Sequence, residues 1–203
     1  MIRLGRWCSV VLLAASLLLA MSCAVAPSSE SPRFYLLNSI KSNNPLDLQQ
    51  PLRLAVGPVA VADYLDQPRI VIRTGSNELR LRDNERWATP LATQISHALR
   101  DSLADSLPEA TTGLYLSTAA VPHDYQLIVE IERFDGALGS DVELVAHWQA
   151  VSAGQRDRVL TAGTQRLLRS STDASLQSLI NVQAQLLNQL GQIIAQAMVD
   201  ALL

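Results

Sequence analysis

The chain has 203 residues, 16 basic against 19 acidic, a net charge of −3, and 48% hydrophobic side chains. That is length for one domain with a flexible leader. Lys41 is the sole lysine and no cluster of basic residues occurs, which excludes the concentrated positive face of a nucleic-acid-binding protein. Aromatic residues are few, so the core must be built mainly from Leu, Val, Ile and Ala.

The first 30 residues have the order of an export signal: Arg3 and Arg6, then the apolar run Val10–Ala20, then Ala20-Met21-Ser22-Cys23. Cys23 lies just after the apolar run and Cys8 before it, so Cys23 is the predicted lipidation site, with residues 1–22 removed as signal peptide. Ala20 stands where a lipobox usually has Leu. Ordinary secretion at the same bond is a rival reading. So is an uncleaved anchor, because no charge occurs from Trp7 to Ser29 and about 20 apolar residues can span a bilayer. Cleavage before Cys23 leaves no second cysteine, so no internal disulfide can form, and a triacylated cysteine exceeds what stable attachment needs. Ala24 in the next position favours the outer membrane over the inner. Residues 23–32, with the Pro/Ser-rich stretch Ala26–Pro32, read as a solvated tether, and 33–203 as a single domain.

Phe34–Leu37 is a short strand candidate, and Asn38–Pro51 a polar loop. Leu52–Ala62 reads as a buried strand ending in a bend at Gly57-Pro58. Ile70–Thr74, the turn Gly75–Asn77 and Glu78–Arg82 predict a hairpin. Trp87, Leu91, Ile95, Leu99, Leu103 and Leu107 recur at helical spacing, with Thr89-Pro90 as its start and Pro108 as its stop. From Tyr115 the pattern turns to strand; Tyr125–Phe134, Val142–Val151 and Val159–Leu168 predict an antiparallel meander. A long helix is expected over Asp173–Leu202, with Asp173 capping its first turn. The fold class is therefore α+β: a mixed, largely antiparallel sheet packed by two long helices.

Motifs for catalysis are missing. His97, His123 and His147 lie on separate elements with no HExxH or HxxxH spacing. No GxSxG, P-loop or GxGxxG occurs. Asp63 and Asp66, bracketing Tyr64-Leu65, are better turn formers than an acid/base pair. Neither enzyme activity nor a cofactor or metal is expected.

Four segments carry a resemblance. Tyr35-Leu36-Leu37 follows the cysteine; Val56-Gly57-Pro58-Val59 leads into Asp63-Tyr64-Leu65-Asp66-Gln67-Pro68 and Ile70–Arg73; Asn77-Glu78-Leu79 precedes Arg86-Trp87-Ala88-Thr89-Pro90-Leu91; Arg133–Gly136 precedes Val142–Leu144 and Trp148. In this order they resemble the PqiC/YmbA-like family of ABC-type transport auxiliary lipoproteins, over nearly the whole mature chain. Thr89 departs from the acidic residue expected there. The resemblance implies a non-enzymatic periplasmic accessory of an envelope system built around MCE-type proteins and an ABC transporter, moving lipids between membranes. A lipid-binding carrier is the alternative reading, and a hydrolase a further one.

Several residues are expected to meet a partner. Tyr64, Leu65 and Asp66 form a surface in the loop 62–69, unless Tyr64 and Leu65 fold back onto the core. Arg86 is a partner contact or pairs with Asp63 or Asp66. Trp87 is structural, on the apolar stripe of its helix. From Ala174 to Val199 no charge occurs, and the amides Gln185, Gln189 and Gln192 mark a face for self-association or for docking to the transport assembly. A core helix with a merely neutral outer side is the competing explanation.

Overall fold

Nearly continuous apolar runs form strands buried on both faces, and alternating runs form half-wet ones; the chain has both. The computed structural model describes residues 31–41, 44–115 and 122–203, so the predicted signal peptide and Cys23 lie outside the described residues. Strands β1 (Arg33–Tyr35), β2 (Leu52–Val61), β3 (Arg69–Gly75) and β4 (Glu78–Trp87) precede helix α1 (Leu91–Ser106). Strands β5 (Ala110–Leu114), β6 (Tyr125–Gly136), β7 (Asp141–Ser152) and β8 (Gln155–Ser170) follow, and helix α2 (Leu176–Leu202) ends the fold.

The class is α+β as expected, with the strands divided between two sheets: β5-β2-β6-β7-β8 and β1-β4-β3. The longest ladders, β6–β7 and β7–β8, are antiparallel. In contrast β2 pairs in parallel with both β5 and β6. That central place explains its composition, with Leu52, Leu54, Ala55 and Val56 all buried. A parallel return needs a long crossover, and here the β3–β4 hairpin and α1 intervene between β2 and β5. Strand β5 carries no strand signal of its own, since its ATTGL sequence has no alternation, and its place comes from the edge of β2.

The helix pair covers one face of the five-stranded sheet. Leu127, Val129 and Ile131 on β6 and Leu144, Ala146, Trp148 and Ala150 on β7 face it and are buried. The helices approach closely at Gly191, where a Cβ would overlap Ser102 Oγ and lie 2.7 Å from its Cβ. Ser102 Oγ donates to the Asn188 carbonyl at 3.1 Å. Residues 36–41 and 44–50 lie against the helices: Leu37 N donates to Gln94 Oε1 at 2.7 Å, and Leu46 N to the Ser106 carbonyl at 2.8 Å. The tight turn between β7 and β8 places Gly154 at φ 75°, a conformation other residues adopt at a cost.

Three boundaries differ from the expected ones. Trp87 closes β4 rather than opening α1, because its N–H is taken by the Pro68 carbonyl at 2.8 Å while Ala88 N bonds the Tyr35 carbonyl at 2.9 Å. Its place is a ladder rather than a helical stripe. Pro90 occupies the cap position of α1 without a side-chain cap, and the Thr89 carbonyl accepts from Gln94 Nε2 at 2.9 Å. Ser175, not Asp173, caps α2, accepting from Ser178 N at 3.0 Å; Asp173 Oδ1 accepts from Ser175 N just ahead of it.

Candidate docking site

The loop after β2 is fixed by its own backbone. The Ala62 carbonyl accepts from Leu65 N at 2.8 Å and Asp66 N at 3.2 Å, and Gln67 Nε2 donates to the Tyr64 carbonyl at 2.7 Å. Leu65 thereby points into the core, 3% exposed, as in the alternative in which it folds back. Tyr64 is half-buried and donates its hydroxyl to Asp135 Oδ2 at 2.6 Å. Leu65 is thus turned inward, while Tyr64 is held by Asp135 and keeps part of its surface open. Asp66 is exposed.

Asp135, on β6, is completely buried. Besides Tyr64 it accepts from Arg73 Nε at 2.7 Å, Arg73 Nη2 at 3.1 Å and Arg133 Nε at 3.3 Å. Burial alone would raise its pKa, but the bonds from Arg73 and Tyr64 and the charges of Arg73 and Arg133 hold it below the usual carboxylate range. Burial, then the bond and charge of Asp135, pushes the Tyr64 hydroxyl upward, so it stays a donor. Arg133 also pairs with Glu143, which Arg166 Nε approaches at 2.5 Å. The network joins β3 of one sheet to β6 and β7 of the other. It was not legible in sequence, because Arg73 and Asp135 are 62 residues apart.

Between residues 66–68 and 87–91 lies a cleft of about 300 Å³. The segments that carry the family resemblance meet here: DYLDQP and RWATPL face each other, stitched by the Trp87–Pro68 backbone bond, with Tyr35 bonded to Ala88. Trp87 and Leu91, 5% and 2% exposed, form an apolar floor. Asp66, Pro68, Thr89 and Pro90 are exposed at the rim. An apolar floor with one carboxylate and one hydroxyl suits recognition of a partner side chain. Arg86 is exposed and makes no ion pair with Asp63 or Asp66.

The amides of α2 have mixed roles. Gln183 is 2% exposed and donates to the Phe134 carbonyl at 2.9 Å. Asn188 Nδ2 donates to the Ile40 carbonyl at 2.9 Å. Gln185 accepts from Arg169 at 3.3 Å and Gln192 donates to Asn188 at 3.2 Å. With Gln189 these two residues line a shallow groove of about 320 Å³, and all three are half-buried.

Among the described residues no group of three or more His, Cys, Asp or Glu could hold a metal ion, and no helix is long and apolar enough to cross a membrane. His147 contacts Thr164 at 2.9 Å and Glu132 at 3.1 Å on the exposed face of the large sheet. His97 is exposed on α1, and His123 packs edge-on against Tyr115.

The fold recurs in solved structures. An uncharacterized protein is 24% identical with TM-score 0.67, over 82% of this chain and 98% of its own. Protein XCC0632 from Xanthomonas campestris is 20% identical with TM-score 0.68, over 83% and 96%. No curated protein matches the chain. The signature described as ABC-type transport auxiliary lipoprotein component matches residues 35–195, which spans both sheets, both motifs of the cleft and most of α2. The chain belongs to the family of ABC-type transport auxiliary lipoprotein components.

Proposed function

We propose that the protein is a non-enzymatic docking component of an intermembrane lipid transport system built from an MCE-type protein and an ABC transporter. In this reading residues 1–22 are cleaved, Cys23 carries the lipid, residues 23–32 tether the domain, and the domain works on the periplasmic face of the outer membrane. Family membership supports association with an ABC-type system. The observation that carries the docking role is the cleft itself: the two most family-specific segments, distant in sequence, build one apolar-floored, carboxylate-rimmed depression. The other described cavities are likewise open surface clefts, of about 170–460 Å³, so the domain has the form of a surface that is read rather than a container.

The test is capture of the MCE-type protein from envelope extracts by the wild-type chain and by an Asp66→Arg/Thr89→Arg variant. Both positions are exposed, so the variant should keep its melting temperature and lose the partner. Undiminished capture would remove the cleft from the docking surface, and absence of any MCE-type or ABC component from the wild-type eluate would sink the reading.

A further inference from the structure

Residues paired across a ladder project on the same face of a sheet. In the three-stranded sheet Phe34 of β1 is paired with Arg86 of β4, and Arg86 with Arg69 of β3. The three form one row, and the next pair, Tyr35 and Trp87, turns to the other face, where Trp87 is buried. The row is open to solvent: Phe34 is 65% exposed, the Arg69 side chain 44%, and Arg86 is exposed. Leu36, two residues beyond Phe34, is 55% exposed.

The charge of the molecule is divided unevenly. The three strands of this sheet carry six arginines against three carboxylates, while the rest of the chain carries ten basic residues against sixteen acidic. Within the sheet Arg73 is turned inward to Asp135, and Arg33 and Arg82 flank the buried Glu85. Arg80 and Arg86 are exposed, and no ion pair holds either among the described residues. Arg69 reaches only Asp83, at 3.6 Å, which is itself 88% exposed. In a chain that is acidic overall, the exposed side chains of these strands are thus more basic than acidic, Arg69, Arg80 and Arg86 against Glu78 and Asp83, and an exposed aromatic and an exposed leucine adjoin the Arg86–Arg69 row.

We propose that this face, the row Phe34–Arg86–Arg69 with Leu36, rests on the surface of an anionic phospholipid bilayer. Phe34 and Leu36 enter the headgroup boundary, as apolar side chains of interfacial segments do. Arg69 and Arg86 lay their stems along it and meet lipid phosphates, and the acidic remainder of the domain is repelled from the same surface. A bilayer suits this face better than a protein because of the tether. Phe34 stands eleven residues after Cys23, a span of at most about 40 Å, so a lipid at Cys23 keeps this row within that reach of a bilayer surface. The proposal rests on the lipid-anchor part of the reading above and is independent of docking to a transporter.

The test uses the full chain reconstituted in vesicles, with the Phe34→Trp variant read against wild type so that the difference emission reports position 34 alone. Lipids with brominated acyl chains should quench that emission in vesicles of phosphatidylethanolamine and phosphatidylglycerol. Quenching should be weaker in phosphatidylcholine and should decline as salt rises. Arg69→Gln and Arg86→Gln should each lower the docked-to-undocked ratio about fivefold with circular dichroism unchanged. Emission unaffected by brominated lipid in a sample carrying acyl mass at Cys23 overturns the face while leaving the anchor intact. Quenching that appears equally in neutral vesicles and ignores salt removes the arginines' role and overturns it also. Shielding of position 34 only on adding envelope proteins assigns the face to a protein partner instead. A sample without acyl mass at Cys23 removes the tether and the proposal with it.

Discussion

Replacing Asp135 by asparagine tests whether the buried network holds the two sheets together. The carboxylate is fully buried and accepts four bonds, from Tyr64, twice from Arg73, and from Arg133. Asparagine keeps the shape but offers one oxygen, and its NH2 group meets donors that it cannot satisfy. Removing one member of a buried ion pair costs about 3–5 kcal/mol. The Arg73 and Arg133 side chains are 22% and 30% exposed, so water can recover part of that, and we expect about 2–4 kcal/mol in urea unfolding at pH 7. For a domain of this size that is a fall in melting temperature of about 6–12 °C. The pH dependence has a definite sign. The folded-state pKa of Asp135 is lowered by its partners, below an unfolded value of about 3.9. Its contribution is therefore full above that unfolded value and is lost as pH falls through the folded one. Glu85 and Asp124 are lowered as well, so the diagnostic quantity is the difference between wild type and Asp135→Asn, which should shrink towards acid. A difference below about 1 kcal/mol at pH 7, or one that does not change with pH, would refute the argument.

Three further outcomes follow from packing and from the α2 face. Gly191→Ala should destabilise despite alanine's better helix propensity, because the new Cβ meets Ser102; adding Ser102→Gly should restore most of the loss in a double-mutant cycle, and additive effects would contradict the close approach. Trp87→Ala should cost about 3–5 kcal/mol by emptying the cleft floor, and an unchanged melting temperature would show that its burial carries no weight. Glutamate at Gln185, Gln189 and Gln192 together should leave the fold intact, since all three are half-buried, and should dissociate any oligomer seen in sedimentation. A wild-type monomer whose partner binding ignores the triple variant would leave that face without an interface role.

What sequence made legible, and what it hid, divides by range of interaction. The β3–β4 hairpin is written locally, in two alternating runs around Gly75–Asn77, and its strands pair as read. The helical stripes from Leu91 and from Leu176 are local too, and both helices are present. Trp87 reads as helical in sequence because its spacing to Leu91 and Ile95 fits a helix equally well; only the carbonyl of Pro68, nineteen positions earlier in the chain, decides that its backbone belongs to a ladder. The same limit governs the site. That Asp66 and Thr89 share a rim depends on how the hairpin folds back, and that Tyr64 is held by Asp135 depends on one sheet packing on another. A motif scan detects both segments of the cleft but not that they meet.

The neutral C-terminal helix shows why such a pattern has more than one physical source. A charged side chain at position 183 would be buried beside the Phe134 carbonyl. Gln183 supplies the donor that this carbonyl takes without the desolvation penalty of a charge. Asn188 Nδ2 does the same for the Ile40 carbonyl while the Asn188 backbone carbonyl accepts from Ser102 of α1, so one residue links the Ile40 backbone and both helices. Those two positions need a neutral donor for the fold alone. Gln185, Gln189 and Gln192 line an open groove, which Asn188 also borders, and Glu or Lys at these three could be solvated at little expense. The neutral side chains of the first pair are explained by the bonds they make within this chain. Those of the other three are not, and the argument for a partner on α2 rests on those residues rather than on the charge-free run as a whole.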